Sequence, residues 1–90
     1  MPIIHIPNAL RSYTNGEIDI QVKGKTVGEA VSDLTQRCPA LHTHLYDRNS
    51  ELRPFVNLFL NLENTKNLQG LDTPLGEHDR LLLVPSIAGG

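Results

Sequence analysis

Only one stretch of this chain reads as a long amphipathic helix, and both of its ends are written in the residues. Thr26-Val27-Gly28-Glu29 has capping-box spacing: a threonine hydroxyl for orphan backbone N–H groups and a glutamate three positions on. Val27, Ala30, Val31, Leu34 and Cys38 recur along one stripe of that helix. Pro39 closes it, because the residue before a proline is pushed out of the helical region. A helix with a single apolar stripe needs a flat apolar surface to cover, so the rest of the chain is read for strands.

Strands are found on both sides. Ile4 and Ile6 alternate with His5 until Pro7, and Tyr13-Thr14-Asn15-Gly16 carries the Asn-Gly turn dipeptide. Residues 17–23 then alternate without a break, which puts Ile18, Ile20 and Val22 on one buried face. These segments predict an N-terminal β-hairpin with a long loop. After the helix, residues 40–46 suit a short second helical turn, and Asp47-Arg48-Asn49-Ser50 a loop. Residues 55–61 predict a strand with Val56, Leu58 and Leu60 inward and Phe59 facing solvent beside Asn57 and Asn61. Residues 62–76 read as a polar connection anchored by Leu68, Leu71 and Leu75. Residues 80–84 form the last predicted strand, with Leu81 and Leu83 on one face and Leu82 and Val84 on the other, and Pro85 is expected to stop its pairing. The expected class is α+β, a sheet with one face covered by the helix.

Composition limits what such a domain can do. Ninety residues bury only about 60–65% of the surface the unfolded chain exposes, which argues against a second core or a large enclosed active site. Eight basic against ten acidic residues give a formal net charge of −2, which argues against a nucleic-acid footprint. One cysteine, Cys38, makes neither an internal disulfide nor a thiolate zinc cluster. No apolar run approaches the ~18 residues of a membrane span, and the first residues lack the pattern of a secretory leader. The expectation is a single cytoplasmic domain with no membrane or nucleic-acid partner.

The end of the chain carries the candidate chemistry. Taken alone, Gly89-Gly90 is what a frayed terminus looks like. Its context argues for more, because the glycines follow a core strand closely and Pro85 stiffens the exit. Residues 85–90 can reach about 20 Å at ~3.3–3.6 Å per residue. Glycine lacks a Cβ, so a partner's backbone can close around it. The terminal carboxylate is ionised at neutral pH and a poor electrophile. Acyl chemistry there requires activation first, for which an acyl-adenylate made from ATP is a route. Sulfur replacing one oxygen then gives a thiocarboxylate, and an isopeptide bond to a lysine is the alternative fate.

On these residues the chain resembles the ubiquitin-like small sulfur carriers of the ThiS/MoaD family. Asp79-Arg80-Leu81-Leu82-Leu83-Val84-Pro85-Ser86-Ile87-Ala88-Gly89-Gly90 is similar to the family's acidic–apolar strand, proline and terminal diglycine. Gly70-Leu71-Asp72-Thr73-Pro74-Leu75 is similar to the turn before it, and Phe55-Val56-Asn57-Leu58-Phe59-Leu60-Asn61 to the third strand. Ile6-Pro7-Asn8-Ala9-Leu10-Arg11 resembles the start of the cysteine-biosynthesis carriers. Two positions depart from the family's habit: His78 where glycine is common, and Arg80 where an acid is common.

The resemblance implies a β-grasp fold over 1–84 and a reactive tail over 85–90. It implies a protein cosubstrate, not an enzyme. An E1-like enzyme would adenylate Gly90 with ATP, and a thiocarboxylate would follow, with Pro85, Ile87, Ala88 and Gly89 threading into the partner. The sulfur would pass to a pyridoxal-phosphate-dependent cysteine synthase, and a metalloprotease would release the product. Alternatives within the resemblance are the small subunit of molybdopterin synthase, docking on the large subunit, a thiamine-biosynthesis carrier, and a protein modifier conjugated through Gly90. No cofactor is expected to be bound by the chain itself.

The strand pattern adds a docking surface. If Leu81, Leu83, Val56, Leu58 and Leu60 are core, then Phe59, Leu82 and Val84 face the other way; the β-grasp sheet that the resemblance implies makes the third and last strands neighbours, which joins these residues in an apolar patch with Arg80 beside it. His5, His42, His44 and His78 lack zinc-ligand spacing and read as surface residues, and Cys38 reads as a small core hydrophobe.

Overall fold

The structure, a computed structural model, describes residues 1–85. Five strands and two helices follow in the order β1 (Ile3–His5), β2 (Asp19–Gln21), α1 (Val27–Arg37), α2 (His42–Leu45), β3 (Val56–Leu60), β4 (Glu63–Asn64) and β5 (Arg80–Pro85), with four short 3-10 turns between them. The sheet order is β2-β1-β5-β3-β4. β1 and β5 run parallel, and the other pairs are antiparallel. The mixed sheet with one covering helix is the β-grasp arrangement.

α1 forms where its caps predict. The Thr26 side chain accepts a hydrogen bond from the Glu29 backbone N–H at 3.2 Å, and Glu29 Oε1 reaches back to the Lys25 N–H at 3.0 Å. The helix ends at Arg37, with Cys38 as C-cap ahead of Pro39. Val27, Ala30, Val31 and Leu34 are buried against Ile4, Ile6, Ile20, Val22, Val56, Leu58, Leu60, Leu81 and Leu83 from the sheet. Cys38 is half-buried at the rim of this core. Gly24 permits the close approach of the β2–α1 link to the helix, since a Cβ there would lie 2.6 Å from the Ala30 backbone nitrogen.

Four local expectations are corrected. Ile18 is 47% exposed instead of buried. It precedes β2 on the edge of the sheet, opposite the point where Pro7 turns the neighbouring strand away, so nothing lies beyond to cover it. Leu68 and Leu71 are exposed, and only Leu75 packs on the core. The connection is instead pinned by buried Thr65 and Thr73 and by backbone bonds to the start of α1, from Val27 N–H to Thr73 O at 2.9 Å and from Leu75 N–H to Lys25 O at 2.8 Å. It also contains a strand, β4, paired with the end of β3. Finally, Pro85 is the last residue of β5, opposite Val56, and not the first residue outside it.

β3 and β4 are joined by Asn61 and Leu62 alone, between the paired residues Leu60 and Glu63. Both loop residues have positive φ, 52° and 70°, as a type I′ hairpin turn requires. Asparagine tolerates that backbone, whereas for leucine the left-handed region costs about 1–2 kcal/mol.

Candidate docking face

The face of the sheet opposite α1 is built by the pleat. With Val56, Leu58 and Leu60 inward, Asn57 and Phe59 point outward; with Leu81 and Leu83 inward, Arg80, Leu82 and Val84 point outward. The ladder registers align Asp19 with His5, His5 with Leu82, Leu82 with Phe59, and Phe59 with Asn64. One row of outward side chains therefore crosses all five strands, charged at the β2 end and apolar at its centre.

Phe59 and Leu82 are directly paired across β3 and β5, and Leu82 is 41% exposed. Val84 is half-buried one step along β5, opposite Asn57. Phe59, Asn61, Leu62, Arg80 and Leu82 line an open groove of about 420 Å³. Leu62 is 95% exposed. The sequence places it at the start of the polar connection over 62–76 and gives it no role; its position in a two-residue turn appears only once β4 is paired.

The charged end is a network. Arg80 Nη2 donates to Asp19 Oδ1 at 2.7 Å, and His5 Nδ1 lies 2.9 Å from the same oxygen. Hydrogen bonds from His5 and then from Arg80 hold the Asp19 carboxyl below the usual carboxylate range. All three groups are solvent-accessible, and exposed pairs of this kind contribute little to stability. The network's effect is on geometry, anchoring the Arg80 guanidinium through Nη2 beside the apolar patch.

Phe59, Leu82, Val84 and Arg80 thus lie on one surface, and Pro85 ends the strand that carries three of them. Ile87, Ala88, Gly89 and Gly90 lie outside the described residues. His42 and His44 are exposed and engage rings, His42 with Tyr46 at 4.9 Å and His44 with Tyr13 at 4.1 Å. Among the described residues no group of three or more His, Cys, Asp or Glu side chains is placed to hold a metal ion. Burial, and to a lesser degree Glu17, pushes the Cys38 thiol up, away from the reactive thiolate. No helix of the described residues is long and apolar enough to cross a membrane.

The ThiS family model matches residues 4–90. The chain belongs to the ThiS family. It is 33% identical over 89 residues to the sulfur carrier protein CysO of Mycobacterium tuberculosis, covering 97% of this chain and 96% of that protein. Its fold matches a chain in the crystal structure of the Amycolatopsis orientalis BexX/CysO complex with a TM-score of 0.87 and 31% identity, over the full length of both chains. It also matches the small archaeal modifier protein 1 (SAMP1) of Methanosarcina acetivorans with a TM-score of 0.85 and 27% identity, over 99% of this chain and 95% of that one. The chain is thus a ubiquitin-like carrier of the ThiS type, and its relative CysO is named a carrier rather than a catalyst.

Proposed function

We propose that the chain carries sulfur as a thiocarboxylate on Gly90, within a cysteine-forming pathway. What supports this most is the near full-length similarity to CysO, joined to the Gly89-Gly90 terminus. An E1-like partner docks on the Phe59–Leu82–Val84 face and receives residues 85–90 in its active site. There the Gly90 carboxylate attacks the α-phosphorus of ATP, releasing pyrophosphate and forming the acyl-adenylate. A sulfide equivalent from a donor then displaces AMP and leaves the thiocarboxylate. On a pyridoxal-phosphate-dependent synthase that sulfur replaces the leaving group of an activated serine and becomes a thioester; the acyl group then shifts from sulfur to the amine, and a metalloprotease hydrolyses the resulting amide, releasing cysteine and restoring the Gly90 carboxylate. The division into a folded domain, 1–84, and a reactive tail, 85–90, belongs to the same proposal.

The physical basis is a division of labour. The patch supplies affinity at a distance from the chemistry, and the tail supplies the reacting atom in extended, narrow form. Fully burying one large apolar side chain on binding contributes ~1.5–3 kcal/mol before association costs, so the Phe59–Leu82 pair is enough to make docking depend on this face.

A second reading, a modifier joined to lysines through Gly90, is favoured by the likeness to SAMP1. Intact mass after incubation with an E1-like enzyme, ATP and a sulfide donor separates the two. The carrier gains the difference between one sulfur and one oxygen, and the modifier gives a ladder of larger adducts. A chain that does neither refutes both.

A further inference from the structure

The most exposed apolar side chain lining the groove sits where the backbone least accommodates one. Leu62 is 95% exposed at a φ of 70°, in a turn whose chemistry favours glycine or asparagine. Its side chain takes no part in the core, so the chain's own packing offsets neither the strain nor the exposure. It stands at the rim of the groove floored by Phe59 and Leu82, with Arg80 also in the lining. Arg80 is held through one nitrogen only. Nη2 donates to Asp19 and lies 3.3 Å from His5 Nδ1, while Nε and Nη1 make no hydrogen bond among the described residues.

We propose that Leu62 and Arg80 are the specificity determinants of the docking face, and that the partner offers an apolar pocket for Leu62 with a carboxylate on its rim for Arg80. This rests on the reading that an E1-like adenylating enzyme docks here, and it names the chemistry of that enzyme's surface. The strained turn holds Leu62 outward before the encounter, so little ordering remains to be done on binding. The Nε and Nη1 donors that remain uncommitted carry the guanidinium's positive charge, and a carboxylate is the acceptor that makes the strongest hydrogen bonds to such donors. Asp19 and His5 are positioning residues: they anchor the guanidinium through Nη2.

The test is calorimetric binding of the full chain to the E1-like adenylating enzyme of the same genome, at low and at high salt. Leu62→Asn keeps a residue that tolerates the left-handed backbone. It is expected to bind about tenfold more weakly with no loss of melting temperature. Arg80→Gln is expected to bind several-fold more weakly and with a flatter salt dependence. Leu68→Ala removes an exposed leucine that is not part of the groove lining and is expected to bind like the parent. Parent-like binding by Leu62→Asn, an unchanged salt dependence in Arg80→Gln, or an equal loss in Leu68→Ala each overturns the assignment. If the parent binds no such enzyme, the inference falls together with the carrier reading. In that case the mass assay also shows no activation of Gly90, which separates this failure from a misassigned surface.

Discussion

Asp33 holds two donors at once: Arg37 Nε at 2.7 Å, one helical turn on, and the Lys23 backbone N–H at 2.9 Å, across the link from β2. Arg37 first and Lys23 second lower its carboxyl from the ordinary value of 3.8. A depressed folded value means that the unfolded chain takes up the proton first as pH falls. The stabilisation is therefore complete above 3.8 and is lost as pH drops through the lower folded value. Asp33→Asn is expected to melt lower than the parent near neutrality, with the two melting curves converging as pH falls below 3.8; curves that stay parallel would remove the ion pair from the account. Asp19 shifts in the same direction but lies on the open face, where its hydrogen bonds orient Arg80 more than they hold the fold. At this scale the sequence was a mixed guide. Phe59 and Leu82 were legible because strict alternation assigns a face to every residue. The Asp19–His5–Arg80 network was not, since its members lie 14 and 61 positions apart and meet only through two strand registers.

The elements divide by whether their signal is local. α1 was legible to within a residue because cap, stripe and proline stop all lie within it or within two residues of its ends. Thr26→Ala is expected to cost about 1 kcal/mol of stability, read by urea denaturation, while leaving partner binding intact; a cost near zero would mean that water satisfies the Glu29 N–H as well as the Thr26 hydroxyl does. The β3–β4 hairpin was illegible, since β4 has two residues and no apolar alternation, and Asn-Leu is no turn signature. Ile18 shows the converse case, a perfect alternation whose first member falls off the covered part of the sheet. The strained turn gives an unusual expectation. Leu62→Gly should raise stability by about 1 kcal/mol, because glycine adopts positive φ freely and an exposed leucine gives up no packing. A drop in stability on the same measurement would place Leu62 in contact with the body of the domain.

For the whole molecule, docking and delivery should come apart under mutation. Leu82→Asp is expected to weaken binding of the adenylating enzyme at least tenfold, from the lost apolar burial, with only a small shift in melting temperature; a collapse in melting temperature would make Leu82 a core residue. Removing Gly90 should abolish activation and leave circular dichroism and melting unchanged, whereas activity retained by the shortened chain refutes the assignment of the reacting atom. The strand leading to that terminus is also the middle one of five, laddered to β1 on one side and β3 on the other. A tug applied beyond Pro85 therefore meets two sets of hydrogen bonds in shear, with Leu81 and Leu83 gripped beneath them. A machine that hauls on this cord feels the most firmly rooted part of the domain, and can strain against it without unravelling what it holds.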